Sequence, residues 1–197
     1  LESKEEETMN KITKCFIDLE TTGTNPYKHG VWQIAMIIER DGQLQEYNLK
    51  TQLLEGDVID DKASAITGFN KADCEFYDEA SKVLKELKGI LGLYIDAYDR
   101  KDKLFFIAYN AGFDYNFLRQ WFYKQGDTYF GSWFWNPFLD CMTIAGHALM
   151  EERHKLEDFK LGTVAKYLNI AVVEEEQHDA LYDVRLLREI YLAIHNH

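Results

Sequence analysis

The chain has 197 residues, 46% hydrophobic and 14% aromatic, which suits one globular domain with a substantial core. Its 34 acids outweigh 22 bases for a net charge of −12, so broad positive charge is excluded as a way of gripping a polyanion, and any such affinity must be local. Cys15, Cys74 and Cys141 are odd in number and lack zinc-ligand spacing, which argues against a disulfide framework and for buried thiols in a reducing, cytoplasmic setting.

Leu1 to Asn10 is a charged run without apolar periodicity and reads as a solvated tail ahead of a single domain over residues 11–197. Lys14 to Glu20 reads as a short buried strand. Trp32 to Arg40 and Leu44 to Leu49 read as two more, joined by a tight turn at Asp41-Gly42. Asp60 to Thr67 is expected to be a short helix, with Asp60 as N-cap and Gly68 as its end. Apolar residues at Val83, Leu84, Leu87, Ile90, Leu91 and Ile95 have helical spacing, so Asp78 to Tyr98 is expected to be a helix. Leu104 to Tyr109 is an unbroken apolar run and is expected as a central strand. Asn110-Ala111-Gly112 then turns into a helix from Asp114 to Gln125. A short strand at Phe138 to Asp140 and helices at Met142 to Met150, Lys160 to Leu168 and Ala180 to His195 complete the count. No signal peptide is evident, and no apolar run is long enough to cross a bilayer. Three hairpin-linked strands followed by alternating strands and helices describe an α/β domain with a mixed five-stranded sheet: three antiparallel strands, then parallel additions, with helices on both faces.

Three segments carry chemistry. In CFIDLETTG, Asp18 and Glu20 are two apart on a strand and leave the same face, while Leu19 points into the core. At an effective dielectric of about 20, like charges ~4 Å apart repel by about 4 kcal/mol. A divalent cation turns that repulsion into coordination, and hard oxygen ligands suit magnesium or manganese. Taken alone, the pair also describes two ordinary acids at a solvated strand end. In AYNAGFD, Asp114 follows a turn, where an Asp also serves as a helix cap. In HDALYD, His178 and Asp183 are five apart, which on one helix would turn them roughly 140° away from each other. They can share a site only if His178 lies on the loop before a helix that carries Asp183, with Asp179 as the N-cap. Such a histidine suits a general base. Asp179 and Asp183, four apart, form a rival carboxylate pair.

These blocks, DLETTG, YNAGFD and HDALYD, resemble those of the DnaQ-like 3′–5′ exonucleases of the DEDDh branch, whose fold is similar to ribonuclease H. The likeness runs from about Cys15 to Ala193, with AITGF and LDCMTIAGH agreeing between the blocks. Tyr109 and Cys141 depart from the family, where His and Thr are commoner, and Asp179 stands where the tyrosine branch places its Tyr. The resemblance implies two Mg²⁺ or Mn²⁺ ions held by Asp18, Glu20, Asp114 and Asp183, with His178 as the base. It implies release of nucleoside 5′-monophosphates from 3′ ends. Substrate contacts are expected from the backbone at Thr21 and Thr22, from Asn110, and from Phe69 and Phe113 stacking on the last bases. The expected substrate is single-stranded or frayed DNA in preference to RNA, in proofreading or repair, with a polymerase or other replication protein as partner and no membrane. An exoribonuclease with the same ligands is the alternative. A non-catalytic nucleic-acid or polymerase-binding module is the second. The GSWFWNPF stretch reads either as an exposed platform or as core.

Overall fold

In strand β1, Thr13–Thr21, both faces carry side chains that the fold must cover. Cys15, Ile17 and Leu19 enter one apolar cluster and Phe16 enters a second on the opposite face, which is what period-two alternation dictates for a central strand. The computed structural model describes residues 12–174 and 178–195; the tail expected over Leu1–Asn10 lies outside them. Strands β2, Val31–Arg40, and β3, Gln43–Lys50, form the expected hairpin. Its turn places Asp41 at φ 53° and Gly42 at φ 76°, the positive pair that matches the twist of flanking strands. Strands β4, Leu104–Ala108, and β5, Leu139–Asp140, add in parallel. The sheet order is β3-β2-β1-β4-β5, with β1 antiparallel to β2 and parallel to β4. This is the mixed five-stranded sheet expected, and its order and helix placement are those of a ribonuclease H-like fold.

One face is covered by α3, Ala80–Leu91, and α4, Ala111–Lys124. Val83, Leu84, Leu87, Ile90 and Leu91 of α3 and Phe117, Leu118, Trp121 and Phe122 of α4 pack with Phe130, Trp133 and Phe134. Trp133 and Phe134 of the tryptophan-rich stretch are core: Phe134 stacks edge-on against Phe106 at 5.2 Å, and the Trp133 carbonyl accepts from the Leu104 amide at 3.0 Å. Each such buried aromatic is worth about 2 kcal/mol of apolar transfer. The other face is covered by α5, Cys141–Ala148, α6, Leu161–Tyr167, and α7, Ala180–His195. Cys15, Cys74 and Cys141 are all buried free thiols. Among the described residues, no helix is long and apolar enough to cross a membrane.

Two elements differ from the sequence pattern. The long helix stops at Leu91, because Gly92 and a series of turns capped by Asp96 and Asp99 take over, although Ile95 still buries. Helix α4 starts three residues early, at Ala111, because Asn110 takes the left-handed conformation at φ 61°. Between β3 and α3 lie α1, Asp61–Thr67, and the single turn α2, Lys71–Cys74, the latter without a signal in the pattern reading. Asp60 caps α1 by accepting from the Lys62 and Ala63 amides, and Gly68 closes it as expected. None of the residues of α1 is buried.

Candidate active site

At the carboxyl end of β1 the ladder with β2 slips by one residue between Glu20 and Thr21, leaving Trp32 as the extra residue. Such bulges re-aim side chains beside functional sites. Asp18 and Glu20 leave the face that α7 covers, and Asp183, in the first turn of α7, reaches them. Ligand oxygens of Asp18, Glu20 and Asp183 all lie within 4.8 Å of one another. Asp114, buried in the first turn of α4, is fixed beside them: its Oδ1 accepts from the Leu19 amide at 3.2 Å. It is a carboxylate turned inward rather than a helix cap.

Four acids converge here without a compensating base. Among the described residues, none of the four pairs with a lysine or arginine. Burial first, then Asp114, Glu20 and Asp183, hold the Asp18 carboxyl far above the usual carboxylate range. Burial, followed by Asp183, Asp179 and Asp114, pushes Glu20 up to about 9. Burial raises Asp114 as well, against the opposing pull of backbone amides. Burial raises Asp183 to about 6, opposed by the amide and charge of His178. The Oδ1 of Asp183 is buried with no hydrogen-bond partner. An orphaned anionic oxygen among hard oxygen donors is what a divalent cation site requires, so the residues present fit Mg²⁺ or Mn²⁺.

His178 lies on the turn before α7, as the five-residue spacing demanded. Its φ is 67° and its amide donates to Asp183 Oδ2 at 3.2 Å, leaving the residue exposed at the rim. Asp179 caps α7 through the Leu181 and Tyr182 amides. Two residues that the sequence reading did not single out hold the arrangement. Gln33, fully buried opposite Glu20 on β2, donates from Nε2 to Asn48 at 3.0 Å and to Asp179 at 3.3 Å. Asp140 Oδ1 accepts from the amides of Asn110 at 2.9 Å, Ala111 at 3.3 Å and Met142 at 3.1 Å, tying the start of α4 to that of α5. Asp140 carries a local signal, an Asp just before a helix. Gln33 carries none, because its partners arrive through strand register and a distant cap.

Beside the carboxylates opens a cleft of about 430 Å³, walled by Thr21, Gly23, Thr24, Phe113 and, from α1, Ala63 and Ile66. Gly23 is required by space: a Cβ there would sit 2.4 Å from the His29 ring. Thr21 and Phe113 line the cleft. Thr22 does not; it is fully buried, its hydroxyl donates to Val58 and accepts from Gly30, and its amide and carbonyl are bound to Gly30 and Asp60. Phe69 packs against Trp32 at 5.7 Å, and Asn110 is exposed on its turn. Tyr109 sends its hydroxyl to the Phe159 carbonyl at 2.5 Å, away from the carboxylates.

The RNase T family model, described as Exonuclease, matches residues 15–191. The chain is 29% identical over 189 residues to a PolC-type DNA polymerase III of Thermotoga maritima, covering 95% of this chain and 12% of that protein. It is 23% identical over 184 residues to the PolC-type enzyme of Mycoplasmopsis pulmonis, covering 91% of this chain and 11% of that one. It thus spans roughly an eighth of the curated relatives it matches. E. coli exonuclease I in complex with a dT13 oligonucleotide shares the fold, with a TM-score of 0.71 at 21% identity over 93% of this chain and 40% of that one. A product-bound exonuclease I gives a TM-score of 0.71 at 20% identity, over 94% of this chain and 44% of that one.

Proposed function

The chain belongs to the RNase T exonuclease family, and from that premise we propose that it is a metal-dependent 3′–5′ exonuclease that removes nucleoside 5′-monophosphates from the ends of single-stranded or frayed DNA in the cytoplasm. The observation that carries this reading is the convergence of Asp18, Glu20 and Asp183 within 4.8 Å, uncompensated, with Asp114 beside them and Glu20 on the wall of a cleft. Asp18, Glu20, Asp114 and Asp183 would hold two Mg²⁺ or Mn²⁺ ions. Bound there, the ions supply Lewis-acid neutralisation of the phosphodiester and acidify water.

The rest is work for the chain's own groups. His178, on a solvent-facing turn whose amide is tied to Asp183, accepts the proton of the attacking water at its imidazole. The terminal nucleoside enters the cleft, which Phe113 and Thr21 line. Ile66 and Ala63 of α1 add apolar surface to the same cleft. Gln33, through Asp179, sets the start of α7 and with it the relative placement of His178 and Asp183. Similarity to PolC-type polymerases supports DNA as the polymer and proofreading beside a polymerase as the role.

The experiment is degradation of matched 5′-labelled DNA and RNA oligonucleotides with Mg²⁺, by the wild type and by Asp18→Ala. Stepwise loss of DNA from the 3′ end by the wild type, and none by the variant, is expected. Faster loss of RNA would convert the reading to an exoribonuclease. Tight binding with no turnover would make the chain a binding module, and equal activity in Asp18→Ala would remove the site.

A further inference from the structure

We propose that the strip of surface formed by Tyr27, Arg119 and Tyr123, running from the cleft along the exposed face of α4, holds the single strand of nucleic acid on the 5′ side of the end being processed. This rests on the exonuclease reading above and names the surface that feeds its site.

Phe113, Asn116, Arg119 and Tyr123 are spaced three or four apart and share one side of α4. Phe113 is in the cleft, and Tyr123, ten residues on, is roughly 15 Å further along. The connection between β1 and β2 runs beside the helix over the same length. Its Gly23 and Thr24 line the cleft, and its His29 carbonyl accepts from Lys124 Nζ at 2.9 Å at the far end. The two elements therefore flank one path that is continuous with the cleft, about four stacked nucleotides long at ~3.4 Å each.

The side chains along this path have the right chemistry and are accessible. Tyr27 is 74% exposed and Tyr123 36% exposed. The Arg119 guanidinium lies 5.4 Å from the Tyr123 ring centroid and donates to its hydroxyl at 3.3 Å. Tyr27 lies on the β1–β2 connection that flanks the helix, between Thr24, which lines the cleft, and His29, whose carbonyl is bound by Lys124. Among the described residues Arg119 has no carboxylate partner, whereas Arg185 and Arg188 are paired with Glu46 and Glu39. At the far end, the Asp57 carboxylate is neutralised by Lys124 at 2.6 Å. A planar guanidinium against the Tyr123 ring, with the exposed Tyr27 ring on the neighbouring connection, matches a phosphate between bases that stack, without reading their sequence. It also gives so acidic a chain a local hold on a polyanion, with Arg119 and two exposed rings leading from a cleft that Lys62 lines.

The test compares the wild type with Arg119→Glu and with the double variant Tyr27→Ala/Tyr123→Ala on a long single-stranded oligonucleotide and on a dinucleotide too short to leave the cleft. Expected are a rise of about tenfold or more in KM for the long strand, unchanged kcat, and unchanged kcat/KM for the dinucleotide. The salt dependence of log kcat/KM on the long strand should also shrink by about 0.7 in Arg119→Glu. An unchanged KM on the long strand, or an equal loss on the dinucleotide, overturns the proposal. If the wild type hydrolyses neither substrate, the exonuclease reading fails instead. The strip is then judged by fluorescence anisotropy of the long strand, where equal affinity for wild type and Arg119→Glu overturns it.

Discussion

One face of the sheet carries acids treated in two opposite ways. Toward one end, Glu39 of β2 meets Lys14 at 3.2 Å and Arg188 of α7 at 3.0 Å, and Glu46 of β3 meets Arg185. Hydrogen bonds and charge from those bases hold both carboxyls below their ordinary range, against the burial that raises Glu39. At the other end, the same helix α7 and the same strand β1 bring Asp18, Glu20 and Asp183 together with no lysine or arginine, and all three are raised. The first set fastens helix to sheet. The second is a crowded set of carboxyls, raised by burial and by one another, with no base supplied to neutralise them.

The sharpest way to break this comparison is Asp18→Asn. Activity should fall at least about 100-fold, while the metal-free melting temperature rises by about 2–6 °C as repulsion is relieved. Parallel loss of both would make Asp18 structural. Next, His178→Ala should lower kcat about 100-fold yet leave the Mn²⁺-induced rise in melting temperature intact. That rise corresponds to about 2.7 kcal/mol at 100 times the dissociation constant in the wild type. Its loss in His178→Ala would mean that the histidine holds metal rather than a proton.

The two ends should also respond oppositely to pH. Glu20 and Asp183 hold protons more tightly in the folded chain than in the unfolded one. Metal-free stability therefore falls as pH rises from roughly 4, through about 6 for Asp183 and toward about 9 for Glu20. Glu39 and Glu46 are depressed, so their contribution is full above the unfolded value and is lost as pH falls through the folded one. A Glu20→Gln variant should flatten the alkaline part of the metal-free stability curve; an unchanged curve would contradict the assignment. The smallest effect is expected from Glu39→Gln: a loss of about 1 kcal/mol or less in denaturant unfolding, with oligonucleotide hydrolysis unaltered.

Much of this was legible in the residues. The Asp41-Gly42 turn, the alternation along β1 and the caps at Asp60 and Asp179 depend on neighbours in sequence, and each has the form that local chemistry dictates. The separation of His178 from Asp183 even located a helix start, since only a loop followed by a helix lets both face one place. What escaped is non-local. Ile95 buries from a turn rather than a helix, so its apolar spacing said nothing about its backbone. Asn110 takes a left-handed conformation with its amide bound to Asp140, thirty residues away. Gln33 matters through cross-strand register and a partner at Asp179. Thr22, read as a substrate contact from its motif, is consumed by loops that pack around it.

Helix α1, with no buried residue, has a further consequence. Elements that bury little open locally at small free energy, so its amides should exchange with deuterium far sooner than those of β1 or α7. That single short helix should therefore open while the sheet that carries the acids stays intact.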